Sequence, residues 1–252
     1  MKIIVLPDIH GRDFWKSARE HIAGCDKVIF LGDYFDPYGF EIVSVTDAID
    51  NFREILSFVK ECPEKAVMLL GNHDLPYYSE QYRALARYHC RWSREWHSYI
   101  SRMFENDSRL FKMAHEEDGI LFTHAGCTAL WLKSINVEPE NLSDLVEMLN
   151  ALPTTNVGLR QLFMVSRHRG GRDVAGSCVW ADIDELLGDI EGLRFNGSAA
   201  VKQVFGHTLQ VKHKINGGIV SGEPITTQLL KMLDNRTAYL LDTTTFTHEA
   251  LL

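Results

Sequence analysis

Three short segments set a carboxylate beside an imidazole or amide and a glycine: Asp8-Ile9-His10-Gly11, Gly32-Asp33-Tyr34-Phe35-Asp36 and Gly71-Asn72-His73-Asp74. Two more histidines follow apolar runs, His124 in Leu121-Phe122-Thr123-His124-Ala125-Gly126 and His207 in Val204-Phe205-Gly206-His207-Thr208. Asp8, His10, Asp33, Asn72, His124 and His207 therefore form a pool of oxygen and imidazole donors. Such a mixed set suits Mn²⁺, Fe or Zn²⁺ better than Mg²⁺ or Ca²⁺, which prefer oxygen alone. Six donors are too many for one ion with an open position. They suit two ions that share a carboxylate. Asp, Asn and His beside Gly are also ordinary turn residues. Their recurrence behind one apolar run after another favours the metal reading.

The elements behind these motifs can be read from hydropathy. Residues 3–6, 28–31 and 66–70 are wholly apolar runs and read as buried strands. Residues 14–22 read as a helix. Residues 45–59 carry Val45, Ile49, Phe52, Leu56 and Val59 at helical spacing, with acids early and Lys60 late, as the helix dipole favours. Cys62-Pro63 ends that helix. A β-α-β-α-β order with continuous apolar strands implies a parallel sheet covered by helices. Ligands bind at the carboxyl ends of such strands, so the first three motifs belong on one edge.

Residues 75–111 are helical in pattern and rich in aromatics and arginine. From 77 to 112 there are seven Lys/Arg (Arg83, Arg87, Arg91, Arg94, Arg102, Arg109, Lys112) against four acids (Glu80, Glu95, Glu105, Asp107), a balance of 7 − 4 = +3. These cations read as a solvated helix face or, alternatively, as a cap that draws in an anionic substrate. The insertion's Tyr82, Trp92, Trp96 and Tyr99 read as packing residues. Beyond it come a strand at 120–123, a helix at 143–149, a basic Gly-rich loop at 167–176 and a short acidic helix at 182–187. Strands are expected at 204–205, around Ile215, at 239–241 and at 246–250. A single domain over 1–252, with a helical insertion at about 75–112, is the simplest organisation.

The whole chain narrows the function classes. Its 252 residues suffice for a substantial core, and a net charge of −8 disfavours a general nucleic-acid surface. The five cysteines are scattered, odd in number and form no CxxC pair, so free thiols are expected. No apolar run is long enough to span a bilayer, and the apolar stretch at 1–6 is too short for a signal segment. A cytoplasmic protein without a membrane partner is expected.

The motifs DxHG, GDxxD, GNHD, THAG and FGHT, in this order, resemble those of the calcineurin-like metallophosphoesterases. The resemblance runs from residue 3 to about 241. It implies an α/β fold of two packed mixed β-sheets flanked by helices, here with a helical cap insertion. It implies two divalent ions, Mn²⁺ first with Fe or Zn²⁺ as alternatives, and a hydroxide held between them as nucleophile. Asp8 and His10 would bind the first ion, Asp33 would bridge both, and Asn72, His124 and His207 would bind the second. His73 would be the general acid or a phosphate contact, oriented by Asp36.

Where many members end in GHxH, this chain has Leu209 at the second histidine. That change resembles the phosphoprotein-phosphatase (Ser/Thr) branch with its compact phage and bacterial members. Val179-Trp180 and Tyr239-Leu240-Leu241-Asp242-Thr243 look similar to that branch as well. Three features depart from it. The second motif continues to Pro37 without the branch's phosphate-gripping arginine, Leu70 precedes the GNH glycine, and GNHE is GNHD. The missing grip leaves Arg12 and Arg167, beside Asn72, as candidate substrate contacts, since a guanidinium holds phosphate at two points. The expected function is phosphomonoester hydrolysis of Ser/Thr-phosphatase type. Hydrolysis of a dinucleoside polyphosphate or other nucleotide is one alternative. A non-catalytic scaffold of the same fold is another, and retention of His73 speaks against it.

Overall fold

Lys2–Leu6, Lys27–Phe30 and Ala66–Leu69 are strands whose inner residues are excluded from solvent, as unbroken runs of Ile, Val, Leu, Met and Phe must be when both faces are covered. The computed structural model describes residues 1–189, 192–208, 211–215, 218–221, 224–233 and 236–251. The chain divides into two compact units, Met1–Lys112 with Arg236–Leu252, and Met113–Asn235.

In the first unit the three strands lie side by side and parallel, with Ile4 beside Val28 and Ile29 beside Val67. This register brings their carboxyl ends to one edge, as the sequence pattern requires. Phe111–Lys112 adds a short parallel strand next to Ala66–Leu69. On the other side the chain returns as Ala238–Asp242, antiparallel to Lys2–Leu6, followed by Thr247–Leu251. The first crossover is a 3₁₀ helix, Phe14–Gly24, where an ordinary helix was expected over 14–22. The second is the α-helix Val45–Glu61. It starts at a capping box in which the Ser44 hydroxyl accepts from Asp47 N and the Asp47 carboxylate accepts from Ser44 N, both at 3.1 Å. Such a cap stabilises a helix by roughly 1 kcal/mol.

The 75–112 segment forms three helices, Leu75–Tyr78, Glu80–Ala86 and His97–Asn106, and a 3₁₀ turn, Ser108–Leu110. It is rooted in the core of its unit. Tyr77, Tyr82, Ile100 and Phe104 are buried, and the Phe104 ring lies 5.3 Å from Phe52 and 4.9 Å from Phe111.

The second unit is built on a mixed sheet ordered Ile225–Thr226, Leu230–Met232, Lys202–Phe205, Ile120–Thr123, Ala114–Glu117. Its three central strands are parallel and its outer pairs antiparallel. Helices Ala129–Ser134, Leu142–Ala151, Asn156–Leu162 and Ile183–Gly188 accompany it, and a hairpin joins Val211–Ile215 to Gly218–Ser221. Ala125, Ala181, Ile183, Leu186, Phe205, Leu230 and Met232 make a core cluster. Two mixed sheets with flanking helices are thus present, as the family resemblance implies. Among the described residues no helix is long and apolar enough to cross a membrane. All five cysteines are free.

Candidate metal and phosphoryl site

The loops after the three parallel strands of the first unit touch because two glycines let them. Gly32 has φ +105°, and a Cβ there would sit 2.4 Å from Gly71 N. A Cβ on Gly71 would sit 2.2 Å from an Asp33 carboxylate oxygen. Asp74 then clamps the two loops: its carboxylate accepts from Asp33 N at 2.6 Å, Tyr34 N at 2.8 Å and Gly71 N at 2.8 Å. Burial and the Asp33 charge push the Asp74 carboxyl up, against these three N–H bonds.

Among the described residues eight non-glycine positions have positive φ; His10, Asp33 and Asp36 in these loops are three of them, and His207 of the second unit is a fourth. Each such conformation costs on the order of 1–3 kcal/mol and persists where its surroundings over-determine it, which is common at functional sites.

Asp8, His10 and Asp33 are buried, and each offers a ligand atom within 4.8 Å of the others. His10 Nδ1 lies 2.8 Å from the Phe35 carbonyl. A carbonyl only accepts, so Nδ1 carries the proton and Nε2 keeps a lone pair. That nitrogen is 3.6 Å from Asp33 Oδ2. Burial, with the charges of His73 and Arg12, holds the His10 imidazolium well below its ordinary pKa. A neutral nitrogen and a carboxylate oxygen therefore face each other with like polarity, and a cation between them satisfies both. The residues fit a divalent ion on this ground. The other Asp33 oxygen accepts from His73 N at 2.8 Å, which fixes the carboxylate.

His73 sits beside this group, its ring 5.4 Å from that of His10. Its Nδ1 donates to the Arg91 carbonyl at 3.2 Å, while Asp36 Oδ2 is 3.7 Å away. Nδ1 thus faces both the Arg91 carbonyl and the Asp36 carboxylate, and Asp36 favours the charged ring. Burial lowers the His73 pKa, but Asp33 and Asp36 outweigh it, and the net direction is upward. Asp36 is itself held by Tyr77, whose hydroxyl donates to Oδ1 at 2.7 Å and accepts from Ser93 N at 2.6 Å. Asn72 is buried, and the Cys90 thiol donates to its carbonyl at 3.2 Å.

In the second unit, His124 and His207 follow neighbouring parallel strands, with Phe122 beside Val204. Gly206 N donates to the His124 carbonyl at 2.9 Å. The two buried rings meet with His124 Nε2 and His207 Nδ1 3.0 Å apart. Nitrogens bound at about 2.1 Å to one cation, at a right angle, lie roughly 3 Å apart. The Trp180 ring packs edge-on against His207 at 5.8 Å. Leu209 lies outside the described residues.

The candidate arginines sit in two different settings. Arg12 Nε pairs with Glu41 at 2.9 Å and Nη1 donates to the Asp8 carbonyl at 3.1 Å. With its side chain 12% exposed, Arg12 braces the first motif from within, and a contact with substrate is not what holds it in place. Arg167 is exposed on the 3₁₀ turn Arg167–Arg169. In that turn it is Arg169 that bonds the Thr208 hydroxyl, next to His207, and pairs with Asp182 at 2.8 Å.

Sequence reasoning gave no role to Asp74 or Tyr77, and saw Arg91 and Arg169 only as members of basic segments. The last residue of GNHD was the one available signal, for Asp74. A hollow of about 430 Å³ beside Gly11 and Arg12 is lined by four acids, Asp13, Asp47, Asp50 and Glu54, and by Lys16.

A profile described as calcineurin-like phosphoesterase matches residues 1–211. No curated protein matches the chain.

Proposed function

The chain belongs to the calcineurin-like phosphoesterase family, and from that premise we propose that it is a binuclear phosphomonoesterase of Ser/Thr-phosphatase type. The proposed ligand set is Asp8, His10 and Asp33 for one ion, and Asn72, His124 and His207 for the other, with Asp33 shared. Mn²⁺ is the proposed metal. The observation that carries the reading is the meeting of Asp8, His10 and Asp33 around a neutral Nε2, with His73 alongside.

When bound, divalent ions supply Lewis acidity toward phosphoryl oxygens and make water acidic enough to attack near neutral pH. The protein's own groups do the rest. Phe35 and Asp33 orient the His10 ring. Asp74 holds the second and third loops in register. His73, whose pKa is raised, keeps its Nε2 proton for the leaving oxygen, while its Nδ1 proton is donated in a hydrogen bond to the Arg91 carbonyl.

One feature favours the nucleotide alternative. Phe40 is 54% exposed and stacks on Tyr38 at 5.3 Å with their planes 13° apart, and Tyr38 in turn meets the His10 ring at 5.0 Å. An aromatic pair of this kind suits a planar leaving group.

The test is a substrate panel with Mn²⁺: an aryl phosphate, its bis-aryl diester, phosphopeptides and dinucleoside tetraphosphates. The expected result is metal-dependent turnover fastest on monoesters. Fastest turnover of a dinucleoside tetraphosphate would replace the monoester reading with the nucleotide one. Failure on every substrate with metal bound would favour a scaffold.

A further inference from the structure

The second motif lacks an arginine to grip phosphate, yet an arginine stands at the site from elsewhere in the chain. Resting on the phosphomonoesterase reading, we propose that Arg91 is the anion-binding subsite: its guanidinium takes two oxygens of a doubly charged phosphoryl group and so sets a preference for monoesters over diesters.

Three contacts fix Arg91 against the site of the first unit. Its guanidinium carbon lies 4.4 Å from the centre of the Tyr38 ring. Its Nη2 donates to the Asp36 carbonyl at 3.0 Å. Its own carbonyl accepts the His73 Nδ1 proton at 3.2 Å. Tyr38 meets the His10 ring at 5.0 Å, and His10 meets His73 at 5.4 Å. The guanidinium thus stands over a platform one ring away from the candidate ligands, and the residue is exposed on its outer side.

A guanidinium carries five N–H donors. The bond to Asp36 uses one, and stacking on Tyr38 uses none, so a fork of donors stays available for phosphate in a preorganised plane. Other arginines nearby are committed elsewhere. Arg12 and Arg236 share Glu41, and Arg83 pairs with Glu80 and faces His97. A monoester carries about two negative charges near neutral pH, as other phosphomonoesters do, and a diester carries one. A fixed cation discriminates between them by that difference.

The experiment compares wild type, Arg91→Ala, Arg91→Lys and Tyr38→Leu. It reads kcat and KM on an aryl phosphate and its bis-aryl diester, the Kd of inorganic phosphate for the Mn²⁺-loaded protein by calorimetry, and metal content. Charge-assisted hydrogen bonds lost from a site correspond to roughly 10–100-fold. Arg91→Ala is expected to lower kcat/KM on the monoester by about 50-fold, mainly through KM, and on the diester by less than about 5-fold. The phosphate Kd should rise by about the same factor as the monoester KM. Arg91→Lys should recover part of the loss, Tyr38→Leu should fall between, and metal content should stay at the wild-type value. Equal losses on both esters, or an unchanged phosphate Kd, would overturn the proposal. A wild type that binds metal and phosphate but hydrolyses neither ester would sink the phosphomonoesterase reading, while the phosphate-binding arm would still decide Arg91.

Discussion

The two units build their candidate metal-binding side chains by different means. The first gathers Asp8, His10, Asp33 and His73 from three strand ends and braces them with Asp74, a glycine pair and Arg12. The second presents two imidazoles, His124 and His207, through the register of neighbouring parallel strands and one backbone bond. One is a heavily cross-linked assembly of carboxylates and imidazoles, and the other is an imidazole pair set by sheet geometry. Carboxylates attract a divalent ion more strongly than imidazoles do by charge alone. The first unit should therefore hold its ion more tightly, and its residues should be less forgiving of substitution.

Several substitutions can break or sharpen that contrast. Asp33→Ala removes the proposed shared carboxylate and should lower kcat/KM by about 10⁴-fold or more, since several kcal/mol of charge stabilisation go with the metals. Steady-state kinetics with saturating Mn²⁺ measures this, and a loss under 10-fold would contradict the account. His73→Asn should cost about 10³-fold in kcat, more with an alkyl than with an aryl leaving group, because a poor leaving group needs the proton most. Equal losses on both would remove His73 as the acid.

Asp74→Ala strips three buried N–H groups of their acceptor. It should cost about 3–5 kcal/mol of stability, read from denaturant unfolding. A cost below 1 kcal/mol would mean the loops hold without the clamp.

Asp36→Asn should be the mildest, at about 10-fold in kcat, since Asp36 faces His73 Nδ1 at 3.7 Å beside the Arg91 carbonyl, which remains in the variant. His73 keeps its proton above its ordinary pKa, so kcat should fall as pH rises through that raised value. In Asp36→Asn the falling limb should move to lower pH. A pH–rate profile with an unmoved limb would show that Asp36 does not act through His73.

Much of this arrangement was legible in the chain. Unbroken apolar runs ending in Gly-flanked Asp, Asn or His marked the strand ends, because burial on both faces forces such runs and a metal loop forces such turns. Other parts were not legible, for physical reasons. Ala114–Glu117 reads Ala-His-Glu-Glu, with no strand signal, and is a strand because Ile120–Thr123 pairs with it. Asp74 matters through three backbone N–H groups that meet only in the folded loops. Arg91 looked like one of seven cations in a basic insertion, and its place beside Tyr38 and Asp36 depends on the irregular stretch at 87–96. The pairing of Arg12 with Glu41 was not legible for the converse reason, since that partner is distant in sequence but adjacent in space.

The most direct test counts bound ions. Purified protein, stripped and then titrated with Mn²⁺ by calorimetry with elemental analysis of the complex, should take up two ions per chain in a tight and a weaker step. Asp8→Ala should lose the tight step and His124→Ala the weaker one, with hydrolysis lost in both. A chain that binds no divalent ion, or that hydrolyses phosphate esters equally well after chelation, would contradict the account.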